Sequence, residues 1–157
     1  TTVRLHLRAS ATSAGEAVED PGPSDIRGAG QLVLVVEDDD RLRAFAVDAL
    51  RGLGYRVVEA ANGTAALAAL HSHGDIAALF TDIVLPGPLD GFELAKRVRA
   101  LRPDIRVLYT SGFSDAERVP AELIDRESEL LPKPYRISEL GCRIRRLFGE
   151  ETAAAEE

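Results

Sequence analysis

Cysteine is almost absent from the sequence, since Cys142 is the only one among 157 residues. One cysteine cannot supply an internal disulfide framework or a thiolate metal site. A basic excess is also missing, because 19 basic and 26 acidic side chains give a formal net charge of −7. Nucleic-acid-binding domains normally present a basic face. The charge therefore argues against direct contact with DNA or RNA.

Long apolar segments are missing too. No apolar run approaches the roughly 20 residues that cross a bilayer, and residues 1–30 lack the charged start and apolar block of a signal peptide. Apolar residues make up 45% of the chain and charged residues 29%, the balance of an ordinary globular protein. We therefore expect a cytoplasmic location and no membrane contact by this segment.

The ends of the chain differ in composition from its centre. Residues 1–8 alternate apolar and polar side chains, which is typical of a half-buried strand, although a generic strand or a disordered arm is an equally open interpretation. Residues 9–30 are rich in Ala, Ser, Gly, Pro and acid, and predict a flexible linker. Residues 150–157 predict a disordered tail, which leaves one folded domain at 31–149.

Within residues 31–149, short apolar runs alternate with segments of helical spacing. This alternation predicts an α/β fold: a doubly wound, five-stranded parallel sheet with helices on both faces, of the flavodoxin-like type, because parallel strands need helical crossovers. The predicted strands are 32–36, 55–60, 76–81, 105–110 and 129–131, and the predicted helices lie near 42–53, 63–74, 91–101, 116–125 and 137–148.

Reactive polar side chains follow four of the predicted strands: Glu37 and Asp38, then Asp82, then Ser111, then Lys133. The carboxyl ends of parallel strands meet at one edge of a sheet, where ligands bind. Clustered carboxylates repel one another unless a hard cation such as Mg²⁺ lies among them. Asp82 would then offer an oxygen to an incoming phosphorus, while Lys133 neutralises charge and the Ser111 hydroxyl donates a hydrogen bond.

Each of these residues also has an ordinary structural interpretation. Asp39 and Asp40 are best explained as caps of the following helix. Asp82 alone could begin a turn, Ser111 could lie in a turn with Gly112, and Lys133 could be an exposed loop residue. The functional interpretation rests on the presence of all the required residue types at four separate strand ends.

Four segments resemble the signature segments of response-regulator receiver domains of the CheY-like type. They are VLVVEDDDRLR (33–43), LFTDIVLPGPLDG (79–91), VLYTSGFS (107–114) and LLPKPYRISEL (130–140). The resemblance covers residues 31–149 and implies a phosphoacceptor switch that receives its phosphoryl group from a phosphohistidine-bearing kinase or phosphotransfer domain. By position, the resemblance implies that Asp82 is the phosphorylated aspartate, Ser111 the switch hydroxyl and Lys133 the lysine that contacts the phosphoryl group.

The same resemblance implies a Mg²⁺ site. Asp38 and Asp82 would bind the ion directly, Glu37 through water, and Val84 through its backbone carbonyl. It also implies a cis peptide bond before Pro134.

One departure from the family pattern concerns the switch. Leu130 stands on the fifth strand where the family often has a mobile aromatic side chain, and Tyr135 follows the lysine, where we expect it to pack. Val84 and Phe113 would flank the approach of hydrolytic water, which predicts slow self-dephosphorylation.

Residues 1–8 and the ending LLPKPYRISELGCRIRRLF resemble the surroundings of receivers in hybrid sensor histidine kinases, with 1–8 as the last strand of an ATP-binding domain. We therefore expect a parent of that kind, an ATP-dependent kinase, whereas the receiver itself acts only on its own aspartate. A stand-alone regulator, a pseudo-receiver scaffold and a homodimer stay open. A phosphatase with an Asp nucleophile would want a second carboxylate at position 84, which is Val here.

Overall fold

A five-stranded parallel sheet with strand order β2-β1-β3-β4-β5 forms the centre of the molecule. The computed structural model describes residues 28–112 and 128–149, and the structural statements below refer to these residues. The strands are β1 (Leu32–Val36), β2 (Arg56–Ala60), β3 (Ile76–Asp82), β4 (Arg106–Ser111) and β5 (Ser128–Pro132). The helices are α1 (Asp40–Gly52), α2 (Gly63–Ser72), α3 (Gly91–Leu101) and α4 (Ile137–Leu147).

The predicted fold class is confirmed. Within the described residues, every predicted strand and helix is present, with ends that move by one or two residues. The peptide bond between Lys133 and Pro134 is cis, as predicted. The predicted helix 116–125, Phe113, residues 1–27 and the tail 150–157 lie outside the described residues. Among the helices of the described segments, none has both the length and the apolar character that crossing a membrane requires.

The sheet has a core on each face, and alternate residues of a strand belong to different cores. Val33 and Val35 of β1 pack in one core with side chains of α1 and α4, which we call the α1/α4 face. Leu34 and Val36 pack in the other core with side chains of α2 and α3, the α2/α3 face. All five residues of β1 are buried, which explains why its sequence is continuously apolar.

Short polar side chains begin three of the helices directly after the loops at the carboxyl edge of the sheet. The carboxylate of Asp39 accepts hydrogen bonds from the amides of Arg41 and Leu42, so Asp39 caps α1 as predicted. Asp40 lies in the first turn instead of at the cap, and pairs with Arg43. Asn62 and Asp90 cap α2 and α3 in the same way as Asp39.

Gly91 allows the start of α3 to lie against the end of β3. A Cβ atom at this position would lie 2.1 Å from the backbone oxygen of Asp82. The Gly91 amide also donates a hydrogen bond of 2.8 Å to the Ile83 carbonyl. Any side chain at residue 91 must therefore displace backbone atoms at the end of β3.

We predict that Gly91→Ala lowers the free energy of unfolding by about 1–3 kcal/mol, since the added methyl group overpacks against the backbone. Gly52→Ala is the matched control, because a Cβ there meets no atom within 4 Å. In helix α1 it should leave stability unchanged or raise it by up to about 1 kcal/mol. Urea unfolding followed by circular dichroism measures both variants, and equal stabilities would contradict the prediction.

Candidate functional site

Three charged side chains from three strand ends meet at the carboxyl edge of the sheet. The ammonium nitrogen of Lys133, after β5, lies 2.7 Å from Oε2 of Glu37, after β1, and 2.6 Å from Oδ2 of Asp82, at the end of β3. Their side chains are only 18%, 8% and 13% exposed, respectively. Charge-assisted hydrogen bonds of this length in a half-buried setting hold the three groups in one arrangement.

The pleat of the sheet explains why these three residues meet. Glu37, Asp82 and Lys133 each lie two residues after a strand residue that packs in the α1/α4 core, namely Val35, Phe80 and Leu131. Residues two apart on a strand point to the same face. The three side chains therefore extend from the same face of the sheet, at the ends of β1, β3 and β5.

Asp38 adds a third carboxylate to the site. One carboxylate oxygen from each of Glu37, Asp38 and Asp82 lies within 4.8 Å of the others. Asp38 is exposed, whereas Glu37 is buried and Asp82 is half-buried. The three acids that the sequence analysis proposed as metal ligands are thus brought together, with an open side towards solvent.

Both oxygens of Asp82 are held by hydrogen-bond donors. Oδ2 accepts from Lys133, and Oδ1 accepts from the amide of Val84 at 3.1 Å. The Val84 side chain itself is 52% exposed. The carboxylate of Asp82 therefore has a defined orientation at the mouth of the site.

Burial and charge act against each other on the two charged partners. Burial raises the pKa of Glu37, and the nearby Asp82 raises it further, although Lys133 and its hydrogen bond act in the opposite direction. Burial lowers the pKa of Lys133, but hydrogen bonds and attraction to Asp82 and Glu37 outweigh it, so this pKa is raised overall. Lys133 is therefore a cation at neutral pH, when it faces the carboxylates.

Two hydroxyl-bearing residues end β4, and the sequence analysis proposed only one of them. Thr110 pairs in register with Asp82, and both continue the α1/α4 alternation of Leu108 and Phe80. Ser111 is one residue further along β4 and therefore follows the alternation of Tyr109, which packs in the α2/α3 core. Both are buried, and the Ser111 hydroxyl has no hydrogen-bond partner among the described residues. The sequence analysis did not consider Thr110, which the strand register adds as a second candidate beside Ser111.

Leu130, which departs from the family pattern, and Tyr135 lie on different faces of the sheet. Leu130 is partly buried against the α2/α3 core. Tyr135 packs on the other face, as predicted, with its ring centroid 6.0 Å from that of Phe45 and 6.1 Å from that of Phe80. An aromatic side chain therefore borders the site from the α1 side, while β5 offers an aliphatic one.

Comparison with known proteins agrees with this geometry. The family model "Response regulator receiver domain" matches residues 33–145. The response regulator receiver protein CpdR of Brucella abortus is 34% identical over 116 residues, which cover 74% of this chain and 95% of that protein. The sensor kinase CckA of Brucella abortus is 33% identical over 132 residues, which cover 82% of this chain but only 13% of the kinase.

Solved structures show the same fold. The crystal structure of the receiver domain from the hybrid histidine kinase CckA superposes with a TM-score of 0.61 at 32% identity, and covers 74% of this chain and 98% of that one. A response regulator receiver protein from Sinorhizobium medicae gives a TM-score of 0.68 at 26% identity, over 78% of this chain and 98% of that one. Together with the matched family model and the gathered strand-end residues, these similarities show that the chain belongs to the response regulator receiver domain family of two-component systems.

Proposed function

We propose that this domain accepts a phosphoryl group from a phosphohistidine onto Asp82 and thereby switches its surface. The observation that carries the proposal is the arrangement of Asp82, whose carboxylate is held by Lys133 beside two further acids at an open edge of the sheet. In the reaction, the nitrogen–phosphorus bond of the donor breaks and an oxygen–phosphorus bond to Asp82 forms. The donor imidazole keeps the electron pair of the broken bond. Water later hydrolyses the acyl phosphate to inorganic phosphate.

Lys133 has two roles in this proposal. Before transfer, its ammonium group keeps Glu37 and Asp82 in place despite their mutual repulsion. During transfer, the same ammonium group lies beside the accepting oxygen and stabilises negative charge on the phosphoryl group. No proton needs to move within the chain, because Asp82 reacts as a carboxylate.

The donor set of the site suits Mg²⁺. It consists of three carboxylates whose oxygens lie within 4.8 Å, and hard oxygen ligands are those that this ion prefers. Asp38 and Asp82 would hold the ion directly, Glu37 through water, and Val84 through its carbonyl. When bound, Mg²⁺ would neutralise charge on the carboxylates and on the transferring group.

A hydroxyl at the end of β4 completes the proposed set of phosphoryl contacts. The sequence analysis proposed Ser111 for this role. The strand register favours Thr110 instead, because Thr110 pairs with Asp82 and lies two residues after Leu108, which packs in the α1/α4 core. Ser111, whose hydroxyl has no hydrogen-bond partner within residues 28–112 and 128–149, follows the alternation of the α2/α3 core instead.

The proposed donor is a phosphohistidine-bearing kinase or phosphotransfer domain in the cytoplasm. An apolar groove of about 410 Å³, lined in part by Leu42, Phe45 and Tyr135, adjoins Lys133 and would give a protein donor a surface beside Asp82. A parent hybrid sensor histidine kinase is supported by the similarity to CckA, whereas the similarity to CpdR favours a stand-alone regulator. The coding sequence upstream of Thr1 tests this: an ATP-binding kinase domain there supports the hybrid parent, and its absence rejects it.

We predict that incubation with acetyl phosphate and Mg²⁺ adds one phosphoryl group to the protein, measured by intact mass. Asp82→Asn should abolish the gain, since an amide cannot form the acyl phosphate. Asp48→Asn removes an exposed carboxylate of α1 and should leave the gain intact. A gain of phosphoryl mass by the Asp82→Asn variant would contradict the proposal.

We predict that Mg²⁺ stabilises the folded domain, by about 2.7 kcal/mol at a concentration about 100 times its Kd. Asp38→Asn should remove most of this stabilisation because a proposed direct ligand is lost. The neighbouring Asp39→Asn is the control, since asparagine also caps helices well and Asp39 lies outside the carboxylate cluster. Thermal unfolding with and without Mg²⁺ measures both, and equal stabilisation of the two variants would contradict the metal assignment.

We predict that Thr110→Val slows phosphorylation by acetyl phosphate about tenfold or more, because a hydrogen bond to a charged group contributes about 1.5–3 kcal/mol. Ser111→Ala should leave the rate near that of the unmodified protein. Initial rates of phosphoprotein formation at saturating Mg²⁺ decide between the residues. The reverse result would assign the role to Ser111, as the sequence analysis proposed.

A further inference from the structure

We infer that Arg43 is a positioning residue for the acidic pair Glu37–Asp38, and that its guanidinium group sets the affinity of the site for a divalent cation. This inference rests on the Mg²⁺ site of the proposed function. Arg43 lies in the first part of α1, and the side-chain hydrogen bonds that it forms with the described residues go to Glu59, Asp40 and the backbone carbonyl of Glu37, not to the three carboxylates of the site. Its effect would therefore pass through the backbone.

Each nitrogen of the Arg43 guanidinium group contacts a different acceptor. Nη1 donates to the backbone carbonyl of Glu37 at 2.8 Å, Nη2 to the carboxylate of Asp40 at 2.5 Å, and Nε to the carboxylate of Glu59 at 3.2 Å. These acceptors belong to the end of β1, the first turn of α1 and strand β2. One side chain thus ties together the three elements that surround the acidic pair.

The contact with the Glu37 carbonyl is the one that bears on the site. That carbonyl belongs to the peptide unit that leads into Asp38, so fixing it restricts the backbone orientation of Asp38. On the other side of Glu37, its amide donates to the Ala60 carbonyl at 3.2 Å. Asp39, on the far side of Asp38, is fixed as the cap of α1. Asp38 therefore extends into solvent from a backbone that is held on both sides.

The two ion pairs of Arg43 do not explain why its side chain is only 16% exposed. Asp40 is 87% exposed and Glu59 is 51% exposed, and ion pairs with such partners contribute little to stability. The two carboxylates instead orient the guanidinium plane towards the carbonyl. This use depends on the rigid fork of arginine, because the single ammonium nitrogen of a lysine cannot serve three separated acceptors.

The positive charge of Arg43 and its positioning role have opposite expected effects on the affinity of the site for Mg²⁺. A cation beside three carboxylates repels an incoming Mg²⁺, so a role of charge alone predicts tighter binding when the charge is removed. A positioning role predicts weaker binding whenever the fork is lost, whether or not the charge remains. Arg43→Lys keeps the charge and loses the fork, whereas Arg43→Gln loses both.

The test is titration with Mg²⁺ in an isothermal calorimeter, on the full chain and its variants. We expect Kd for Mg²⁺ to rise about tenfold or more in both Arg43→Lys and Arg43→Gln, the effect typical of residues that orient metal ligands. Arg97→Gln is the control, because Arg97 forms an exposed ion pair with Glu93 on α3, and it should bind as the unmodified chain does. Phosphorylation by acetyl phosphate should need more Mg²⁺ for half-maximal rate and reach the same maximal rate.

Unchanged or tighter Mg²⁺ binding by Arg43→Gln would overturn the inference, as would an Arg43→Lys variant with the Kd of the unmodified chain. Circular dichroism without metal verifies that each variant is folded, and Arg43→Lys alone decides the question if Arg43→Gln is unfolded. Failure of the unmodified chain to bind Mg²⁺ would instead reject the metal site of the proposed function. The two failures are therefore distinguishable.

Discussion

The site depends on one ammonium group placed between two carboxylates that come from different strands. Lys133 is separated by 96 residues from Glu37 and by 51 from Asp82, yet it forms hydrogen bonds with both. The sheet supplies the proximity, since β1, β3 and β5 end at the same edge. Without the ammonium group, buried Glu37 and half-buried Asp82 would face each other with no neutralising charge between them, and the two carboxylates would repel each other.

Much of this arrangement could be predicted from sequence because it follows from local patterns. The continuous apolar run of β1 indicated a strand buried on both faces, and the acids after it had to lie at the carboxyl edge. The Asp39 cap followed from residue type and position. The face of the sheet towards which each hydroxyl of β4 extends was harder to predict, since it depends on where β4 ends and on its register with β3, and the choice between Thr110 and Ser111 therefore stays a prediction.

Contacts between side chains and distant backbone atoms could not be predicted in this way. Nothing in the segment around Arg43 reveals that its guanidinium group reaches back to the Glu37 carbonyl and across to Glu59 of β2. Such a contact depends on how helix α1 is rotated over the sheet, which the packing of α1 in the α1/α4 core determines. No sequence pattern therefore distinguishes Arg43 from an ordinary solvent-facing helix residue.

The close approach of Gly91 to Asp82 has a mechanical consequence for the proposed acceptor. With helix α3 seated directly against its carbonyl, the backbone of Asp82 has no free space on that side. A group added to the carboxylate therefore cannot be accommodated by retreat of the acceptor itself. Exposed Val84 faces solvent and has room to adjust, whereas the backbone of Asp82 does not.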